Sequence, residues 1–173
     1  MTDSHPHLKM NNISFIGMAG CGKSTLGKAI AEKYNLSFVD TDKLIEVGWQ
    51  MTLEEIKKKH GYEMLRKYEE EVILELDKSI KIISTGGSAV YSAKSMKYLK
   101  SFSKILYINT PLETILERID KGQERGLAVP KNLSIEEVYS EREPLYEQFA
   151  QHSIDGSKSI DELIEIVLNI SNA

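Results

Sequence analysis

The segment GMAGCGKST at 17–25 constrains the fold more than any other stretch of the chain, because it matches G-x-x-x-x-G-K-[ST]. An apolar stretch that reads as a strand, ISFIG at 13–17, precedes it, and a helical stretch, STLGKAIAEKY at 24–34, follows it. In this context the glycine-rich turn and the helix N-terminus present backbone N–H groups to phosphate. The sequence therefore predicts a phosphate-binding loop between the first strand and the first helix.

Residue types in this loop indicate a nucleotide accompanied by Mg²⁺. Lys23 supplies positive charge to the phosphates, and the Ser24 hydroxyl is suited to bind the metal. The guanine-reading element N-K-x-D is absent from the sequence, and a small domain of this kind favours an ATP-dependent kinase for a small acceptor over a GTPase or a mechanical ATPase. The predicted ATP-binding residues of the loop are Gly20, Cys21, Gly22, Lys23, Ser24 and Thr25.

Apolar strands alternate with helical stretches along the chain. The first four strands lack a polar alternation, which is typical of parallel strands covered on both faces. Helix-start signals lie at Thr110-Pro111 with Glu113, at Ser134 with Glu137 and at Ser159 with Glu162. This order predicts an α/β fold built from βαβ units. The predicted strands are 13–17, 36–39, 80–84, 104–109 and 152–155.

Composition limits the domain count and the partners. The chain has 173 residues, enough for one well-buried domain and short for two. The formal net charge of −4 argues against a nucleic-acid surface, and the single cysteine excludes an intramolecular disulfide. No apolar run reaches the roughly 18 residues of a membrane span, and 1–12 lacks the apolar region of a secretory signal. We therefore expect one cytoplasmic domain, 1–173, that binds neither nucleic acid nor membranes.

Two segments interrupt the alternation of strands and helices. Residues 41–79 contain two or three predicted helices and no strand, which exceeds a minimal crossover. Residues 121–133, KGQERGLAVPKNL, contain two glycines and a proline between helices and are interpreted as a mobile loop. Both are interpreted as insertions in a single domain.

Two acids follow the second predicted strand, in the sequence DTD. Phosphoryl transfer with Mg²⁺ needs an acid near the metal and a group that orients the attacking hydroxyl. Asp40 adjoins the strand and is assigned to the metal, while Asp42 is assigned to the acceptor as hydrogen-bond acceptor and general base. An equally weighted alternative is that Asp42 caps the following helix.

Three arginines are candidates for the anionic groups of the substrates. Arg66 has acids at the third and fourth positions after it, Glu69 and Glu70, so the pattern alone favours a surface ion pair. Arg142 precedes a proline at 144 that is expected to break or kink the helix and aim the arginine inward. Arg125 lies in 121–133 and could neutralise charge on the transferring phosphoryl group, although the pattern alone favours an ordinary exposed arginine.

Two consecutive glycines, Gly86 and Gly87, follow the third predicted strand in ISTGGSAVY. Glycine is used where φ is positive or where another group approaches the backbone too closely for a Cβ. The next residue, Ser88, carries a Cβ and therefore requires a negative φ.

Taken together these segments resemble the shikimate kinase family from about residue 13 to 170. DTD followed by KLIE, GYEMLR for G-E-x-x-F-R, STGGS for T-G-G-G, the loop arginine, and EREPLY for E-R-x-P-L-Y occur in the family's order. The resemblance implies a five-stranded parallel sheet of order 2-3-1-4-5 with helices on both faces. It also implies transfer of the ATP γ-phosphate to the 3-hydroxyl of shikimate, in chorismate biosynthesis.

The resemblance assigns a role to each matching position. Ser24 and Asp40 would serve Mg²⁺, 41–79 would contribute to acceptor binding, and 121–133 would be a lid carrying Arg125. The glycine pair would admit the acceptor ring against bare backbone. The implied catalytic residues are Lys23, Asp42 and Arg125, and the implied acceptor-binding residues are Asp42, Arg66, Gly86, Gly87 and Arg142.

Four departures from the family pattern concern the acceptor side. Tyr62 and Leu65 replace the glutamate and phenylalanine of G-E-x-x-F-R, Ser88 replaces the third glycine, and Gly-Leu-Ala at 126–128 replaces Pro-Leu-Leu. Two alternatives therefore stay open, a kinase of this fold for another small hydroxy-acid such as gluconate, and a nucleotide-binding relative without turnover. The presence of Lys23, Asp42 and Arg125 argues against the second alternative. A monomer is expected.

Overall fold

The computed structural model describes residues 10–120, 128–130 and 132–172. Five parallel strands form one sheet in the order β2-β3-β1-β4-β5, which confirms the expected fold class and strand order. The strands are β1 Ile13–Ile16, β2 Phe38–Asp40, β3 Ile82–Ser84, β4 Lys104–Asn109 and β5 His152–Asp155.

Strands β1 to β3 are shorter than predicted. Gly17, with φ of 149°, ends β1 and starts the loop. At the other end of the sheet the Ser37 hydroxyl accepts the Lys81 N–H at 2.9 Å, a side-chain bond beside the start of the β2–β3 ladder. The pairing of β2 with β3 therefore begins at Phe38 and Ile82.

Eight α-helices connect the strands of the described chain. Two of the predicted caps are confirmed, because Ser134 accepts the Glu137 N–H at 3.1 Å and Ser159 accepts the Glu162 N–H at 3.3 Å. The predicted Thr110 cap is wrong, since its buried hydroxyl donates to the Cys21 carbonyl at 2.8 Å. The helices are α1 Lys23–Tyr34, α2 Thr41–Trp49, α3 Leu53–His60, α4 Tyr62–Leu74, α5 Ala93–Phe102, α6 Leu112–Asp120, α7 Ile135–Phe149 and α8 Ile160–Asn172, and a short 3₁₀ helix spans Ala89–Tyr91.

The proline at 144 does not break a helix. Helix α7 continues through it from Ile135 to Phe149, because a proline removes one backbone hydrogen bond whereas the buried face of the helix keeps its packing. That face carries Val138, Arg142 and Tyr146 at a spacing of four residues, all at most 1% exposed. Arg142 points inward as predicted, but helix periodicity is the reason.

The apolar residues form two clusters. The larger surrounds β1, β3 and β4, whose apolar residues are almost fully buried. The smaller lies among α2, α3 and α4, which contribute Ile45, Leu53, Ile56, Leu65 and Tyr68. It also includes Ala128, which lies outside these helices in the chain. Residues 41–74 therefore have a small core of their own, and Ala128 packs into it.

The parallel arrangement brings the carboxyl ends of β1, β2 and β3 to one edge of the sheet, where ligands of open α/β sheets bind. The loop after β1, the acids after β2 and the glycines after β3 meet there. No helix in the described part of the chain is long and apolar enough to cross a membrane.

Candidate active site

The loop at 17–25 is held in its turn conformation by its own backbone and by Lys23. The Lys23 ammonium donates to the carbonyls of Gly17 at 2.5 Å and Met18 at 2.9 Å, and the lysine is only 7% exposed. Gly20 and Gly22 have φ of 81° and 106°, which favours glycine. Lys23 thus lies inside the turn, bonded to the carbonyls of its own loop.

A cavity of about 420 Å³ lies over this loop. Asp42 and Thr85 line it on the acceptor side, and Arg118 and the turn at 156–160 line it on the other. Arg118 donates to the Gly20 carbonyl at 2.6 Å, so a cation from α6 lies at the loop. Sequence reasoning missed Arg118, because no local pattern distinguishes it from any other helical arginine.

Asp40 uses its two carboxylate oxygens differently. One oxygen accepts the Asp42 and Lys43 N–H groups at 3.0 and 3.3 Å and caps α2. The other accepts the Ser24 hydroxyl at 2.6 Å. The alternative that Asp42 is the cap is therefore wrong, because Asp42 lies in the first turn of α2.

The Ser24–Asp40 pair also tests the fit of Mg²⁺. A hydroxyl and a carboxylate oxygen are hard donors, and Ser84 adds a second hydroxyl 3.1 Å from Ser24. No group of three or more acidic, histidine or cysteine ligands occurs among the described residues. Two protein donors suit Mg²⁺, which keeps several waters and takes oxygens from substrate phosphates.

Arg142 is the most unusual side chain of the acceptor side. It is 1% exposed, and its Nε and Nη2 have no hydrogen-bond partner among the residues that the structure describes. Burying a guanidinium is costly unless it is fully paired, and the polar partners of this one, the Tyr91 and Tyr146 hydroxyls, are uncharged. A Cβ placed on Gly87 would lie 2.6 Å from Arg142 Nη1. The group that approaches Gly87 closely is therefore this arginine.

Among the described residues, Arg66 does not form the surface ion pair that its local pattern alone favoured, and its assignment to the acceptor stays a prediction. Its Nε donates to the Ala128 carbonyl at 2.8 Å, and its guanidinium lies over the Tyr91 ring at 3.7 Å and the Tyr62 ring at 5.0 Å. Tyr62, one of the departures from the family pattern, thus supports Arg66 through its ring. The half-buried Arg66 links α4 to the segment after 127.

Glu69, interpreted from the sequence as a surface partner, is a buried residue of the site. It is 3% exposed and accepts the Gly86 N–H and the Ser88 hydroxyl, both at 2.8 Å. Burial, and next the charge of Asp42, raise its pKa from 4.5 to about 7. A Cβ on Gly86 would collide with the carboxylates of Asp42 and Glu69, so these two acids are neighbours across the glycine.

The signal for Glu69 was present in the sequence. Leu65, Glu69 and Ile73 recur every four residues on α4 and are all buried, so the helical period placed the acid on the apolar face. Ser88 meets the condition set for it, with φ of −93°. Its hydroxyl is committed to Glu69.

Arg125 and most of the predicted lid, 121–127 and 131, lie outside the described residues. The described residues Ala128 and Val129 are 4% and 2% exposed. Ala128 is thus packed against the helices α2 to α4, and Val129 belongs to the larger apolar cluster. The roles predicted for Arg125 and for acceptor contact at Gly86 and Gly87 stay predictions.

Comparisons with known proteins identify the family. The family model described as shikimate kinase matches residues 19–171. The shikimate kinase of Caldanaerobacter subterraneus subsp. tengcongensis is 36% identical over 163 residues, covering 92% of this chain and 95% of that protein. A shikimate kinase of Staphylococcus aureus is 33% identical, covering 93% and 94%. The structure of Acinetobacter baumannii shikimate kinase in complex with shikimate aligns with a TM-score of 0.80 at 29% identity, covering 94% and 93%. The chain belongs to the shikimate kinase family.

Proposed function

We propose that this chain is a shikimate kinase that transfers the γ-phosphoryl group of ATP to the 3-hydroxyl of shikimate. The observation that carries the proposal is the buried Arg142, whose Nε and Nη2 lack partners among the described residues. These two N–H groups lie on one edge of the guanidinium, the geometry that a carboxylate accepts as a bidentate partner. Shikimate supplies a carboxylate, and the family supplies the precedent.

The phosphate side of the reaction relies on residues already in place. The backbone of the loop binds the phosphates, and the Lys23 ammonium, now on the Gly17 and Met18 carbonyls, supplies positive charge to them. Ser24 and Asp40 would hold Mg²⁺, which would offset charge on the phosphate oxygens. Arg118, which lines the same cavity, would contact the nucleotide.

Asp42 joins the two sides of the site. It lines the cavity over the loop and also lies against Gly86, so an acceptor hydroxyl beside it can face the γ-phosphate. In the proposed step Asp42 takes the hydroxyl proton as a bond forms from that oxygen to phosphorus. The bond from phosphorus to the β–γ bridging oxygen breaks, and ADP leaves. Arg125 would offset charge on the group in transfer.

We also propose how the chain is organised into a domain, an insertion and a lid. One domain, 1–173, carries a helical insertion at about 41–79 that contributes Asp42 and Arg66 to the acceptor, and a lid at about 121–133. The small cluster of α2 to α4 that includes Ala128 supports a connection between the two. We further propose a cytoplasmic monomer, with a small hydroxy-acid as the only partner besides ATP.

A coupled assay of ADP release with saturating Mg-ATP tests the function. The acceptors are shikimate, quinate and gluconate, and wild type is compared with Lys23→Ala. Shikimate is expected to give the highest kcat/KM, with phosphorus NMR placing the new ester at the 3-hydroxyl. A higher kcat/KM for gluconate would replace the proposal by the other hydroxy-acid kinase. ATP binding without turnover of any acceptor would favour the non-catalytic relative.

A further inference from the structure

Tyr91 contacts both arginines of the acceptor side. It ends the short 3₁₀ helix that follows the turn at 86–88. The guanidinium carbon of Arg66 lies 3.7 Å from its ring centroid, and that of Arg142 lies 5.5 Å from it. Both distances are within the range of cation–π contacts. One ring thus contacts two cations that come from α4 and α7.

This kind of contact leaves guanidinium N–H groups available. A cation that stacks on a ring is attracted by the electrons of the ring face, whereas its N–H groups lie in the guanidinium plane and point outward. A carboxylate partner would instead occupy those N–H groups. The Nε and Nη2 of Arg142 are in fact without partners among the described residues.

Glu69, a buried acid that senses the charge of Arg142, is committed elsewhere. Glu69 accepts the Gly86 N–H and the Ser88 hydroxyl, which are two of the hydrogen bonds its carboxylate can accept. Ser88 thereby keeps the Glu69 carboxylate on the turn at 86–88. The contacts with Tyr91 orient the arginines without neutralising them.

The position of the Tyr91 ring is itself fixed at its outer end. The Tyr91 hydroxyl donates to the Glu141 carboxylate at 2.9 Å, and Glu141 immediately precedes Arg142 on α7. The ring therefore spans from the turn after β3 to the helix that carries Arg142. Two like charges near one another repel, and the ring that both contact offsets part of that repulsion.

We infer that Tyr91 is a positioning residue that holds the Arg66 and Arg142 guanidinium groups in place for the acceptor carboxylate, an inference that rests on the proposed function. It acts through the two arginines and does not touch the reacting atoms. The ring face carries this role, and the hydroxyl group, which donates to Glu141, adds a polar interaction with Arg142.

The kinetic test compares Tyr91→Leu with Tyr91→Phe. Loss of the ring in Tyr91→Leu is expected to raise the shikimate KM at least about tenfold, with kcat and the ATP KM changed less than about threefold. Tyr91→Phe keeps the ring and is expected to keep the shikimate KM within about threefold of wild type. A Tyr91→Leu enzyme with an unchanged shikimate KM, or equal losses in the two variants, would overturn the inference.

Tyr98 provides the matched control. It also has a cation over its ring, Lys78 at 5.4 Å, and its hydroxyl donates to the Leu76 carbonyl, away from the acceptor side. Tyr98→Leu is expected to lower the melting temperature and leave the shikimate KM unchanged. An equal rise of the shikimate KM in Tyr98→Leu would mean that any lost tyrosine ring has this effect, against the inference.

A modified acceptor separates a positioning role of Tyr91 from a general packing role. With the carboxamide of shikimate as acceptor, Tyr91→Leu and wild type should have KM values within about threefold, because the carboxylate that the arginines bind is gone. An undiminished difference would overturn the inference.

Crystal structures without acceptor do not depend on the identity of the substrate. Both guanidinium groups should shift by about 1 Å or more in Tyr91→Leu and stay in place in Tyr91→Phe. Unshifted guanidinium groups in Tyr91→Leu would overturn the inference even if wild type phosphorylates shikimate. If wild type does not phosphorylate shikimate, the proposed function fails, and these structures still decide the role of Tyr91.

Discussion

The phosphate loop, 17–25, and the predicted acceptor side, formed by Arg66, Tyr91 and Arg142, differ in how far apart along the chain their contacting residues lie. Lys23 bonds to Gly17 and Met18 within the same short segment. The acceptor side instead combines Arg66 of α4, Tyr91 of the 3₁₀ helix and Arg142 of α7, which are far apart in the chain. A loop of the first kind is a local structure that many sequences can share. A site of the second kind depends on the packing of several elements.

The two regions also treat buried charge differently. The Lys23 ammonium has carbonyl partners in the folded chain, whereas two N–H groups of Arg142 have none among the described residues. We therefore expect substitutions in the loop to affect catalysis with little change in stability. On the acceptor side, a substitution should change both function and stability. At some positions it should lower activity while raising stability.

The largest effect is expected from Lys23→Ala. Removing the charge at the phosphates should lower kcat by at least about 100-fold, the scale for loss of one preorganised donor in the transition state. The melting temperature should change by less than about 5 °C, since the contacts that are lost, to Gly17, Met18 and Cys21, all lie within the loop. Lys28→Ala, an exposed lysine on the same helix, is the control for both measurements. If Lys23→Ala does not fold, the loop also stabilises the protein, and the expected difference in stability effects between the two regions is wrong.

Arg125→Ala tests a residue assigned to the closed state of the site. It should lower kcat more than it raises the shikimate KM, because the guanidinium is expected to engage mainly when the lid closes. Steady-state kinetics with both substrates varied give the two parameters. A raised shikimate KM with unchanged kcat would make Arg125 an acceptor-binding group.

Arg66→Ala and Arg142→Met should each weaken acceptor binding by roughly 1.5–3 kcal/mol, the range for hydrogen bonds to a charged group. ATP affinity should hardly change. Arg142→Met should also leave the melting temperature equal or higher, because a buried, incompletely paired cation is replaced by an apolar side chain of similar length. A strongly destabilised Arg142→Met protein would show that the guanidinium stabilises the fold.

The carboxamide of shikimate sharpens the same prediction. Wild type should bind the amide less tightly than the acid, and loss of either arginine should weaken amide binding much less than acid binding. For each arginine, titration calorimetry of wild type and variant with the acid and the amide gives the coupling free energy between that arginine and the carboxylate. Additive losses would mean that the arginines do not bind the carboxylate.

Glu69→Gln tests the buried acid through the pH dependence of stability. Because its pKa is raised from 4.5 to about 7, the native state binds more protons than the unfolded state between these pH values. The stabilising contribution of this group is full below about pH 4.5 and is lost as the pH rises through about 7.

Wild type should therefore lose up to about 3 kcal/mol of unfolding free energy over this interval from Glu69, at 1.36 kcal/mol per pKa unit. Glu69→Gln should lose less. Urea unfolding at pH 5 and pH 7.5 measures the difference, with the exposed Glu71→Gln as control. An equal loss in wild type and Glu69→Gln would show that the pKa of Glu69 is not raised.

Ser88→Gly is expected to have the smallest effect. Ser88 has a negative φ, and its hydroxyl faces Glu69, so its removal should change shikimate turnover by less than about fivefold. Gly87→Ala is the contrasting variant and should raise the shikimate KM, because a Cβ there meets Arg142. If wild type ignores shikimate and Ser88→Gly creates the activity, Ser88 excludes that ring from the site.

The fold and the phosphate loop were predictable because their signals are local. Apolar runs indicated the first four strands, and capping residues such as Ser134 and Ser159 marked helix starts. The order of the strands came from the family resemblance, since no local pattern contains it. Of the break or kink expected at Pro144, the break was wrong, because one lost hydrogen bond was weighed without the packing of the α7 face.

The acceptor side was only partly predictable. The assignment of Arg66 and Arg142 to the acceptor stays a prediction, and the stacking of Arg66 on Tyr91 was not foreseen, because it depends on an element 25 residues away along the chain. Glu69 was on the apolar stripe of α4, yet charged residues are seldom buried, so the surface interpretation prevailed. Arg118 carried no local signal at all.

The strand order has a consequence for how the protein folds. Strand β1 lies at the centre of the sheet, and its residue Ile13 pairs with Ile82 on one side and Lys104 on the other. Parallel pairings over such sequence separations form slowly. Because the chain is synthesised from its N-terminus, the segment 17–25 leaves the ribosome well before β3 and β4. These are the two strands that pair with β1, the strand directly before this segment. Nucleotide can stabilise only a state that binds it, so ATP would stabilise the chain fully only once Thr85 after β3 and Ile108 of β4, which also line the cavity over this segment, are in place.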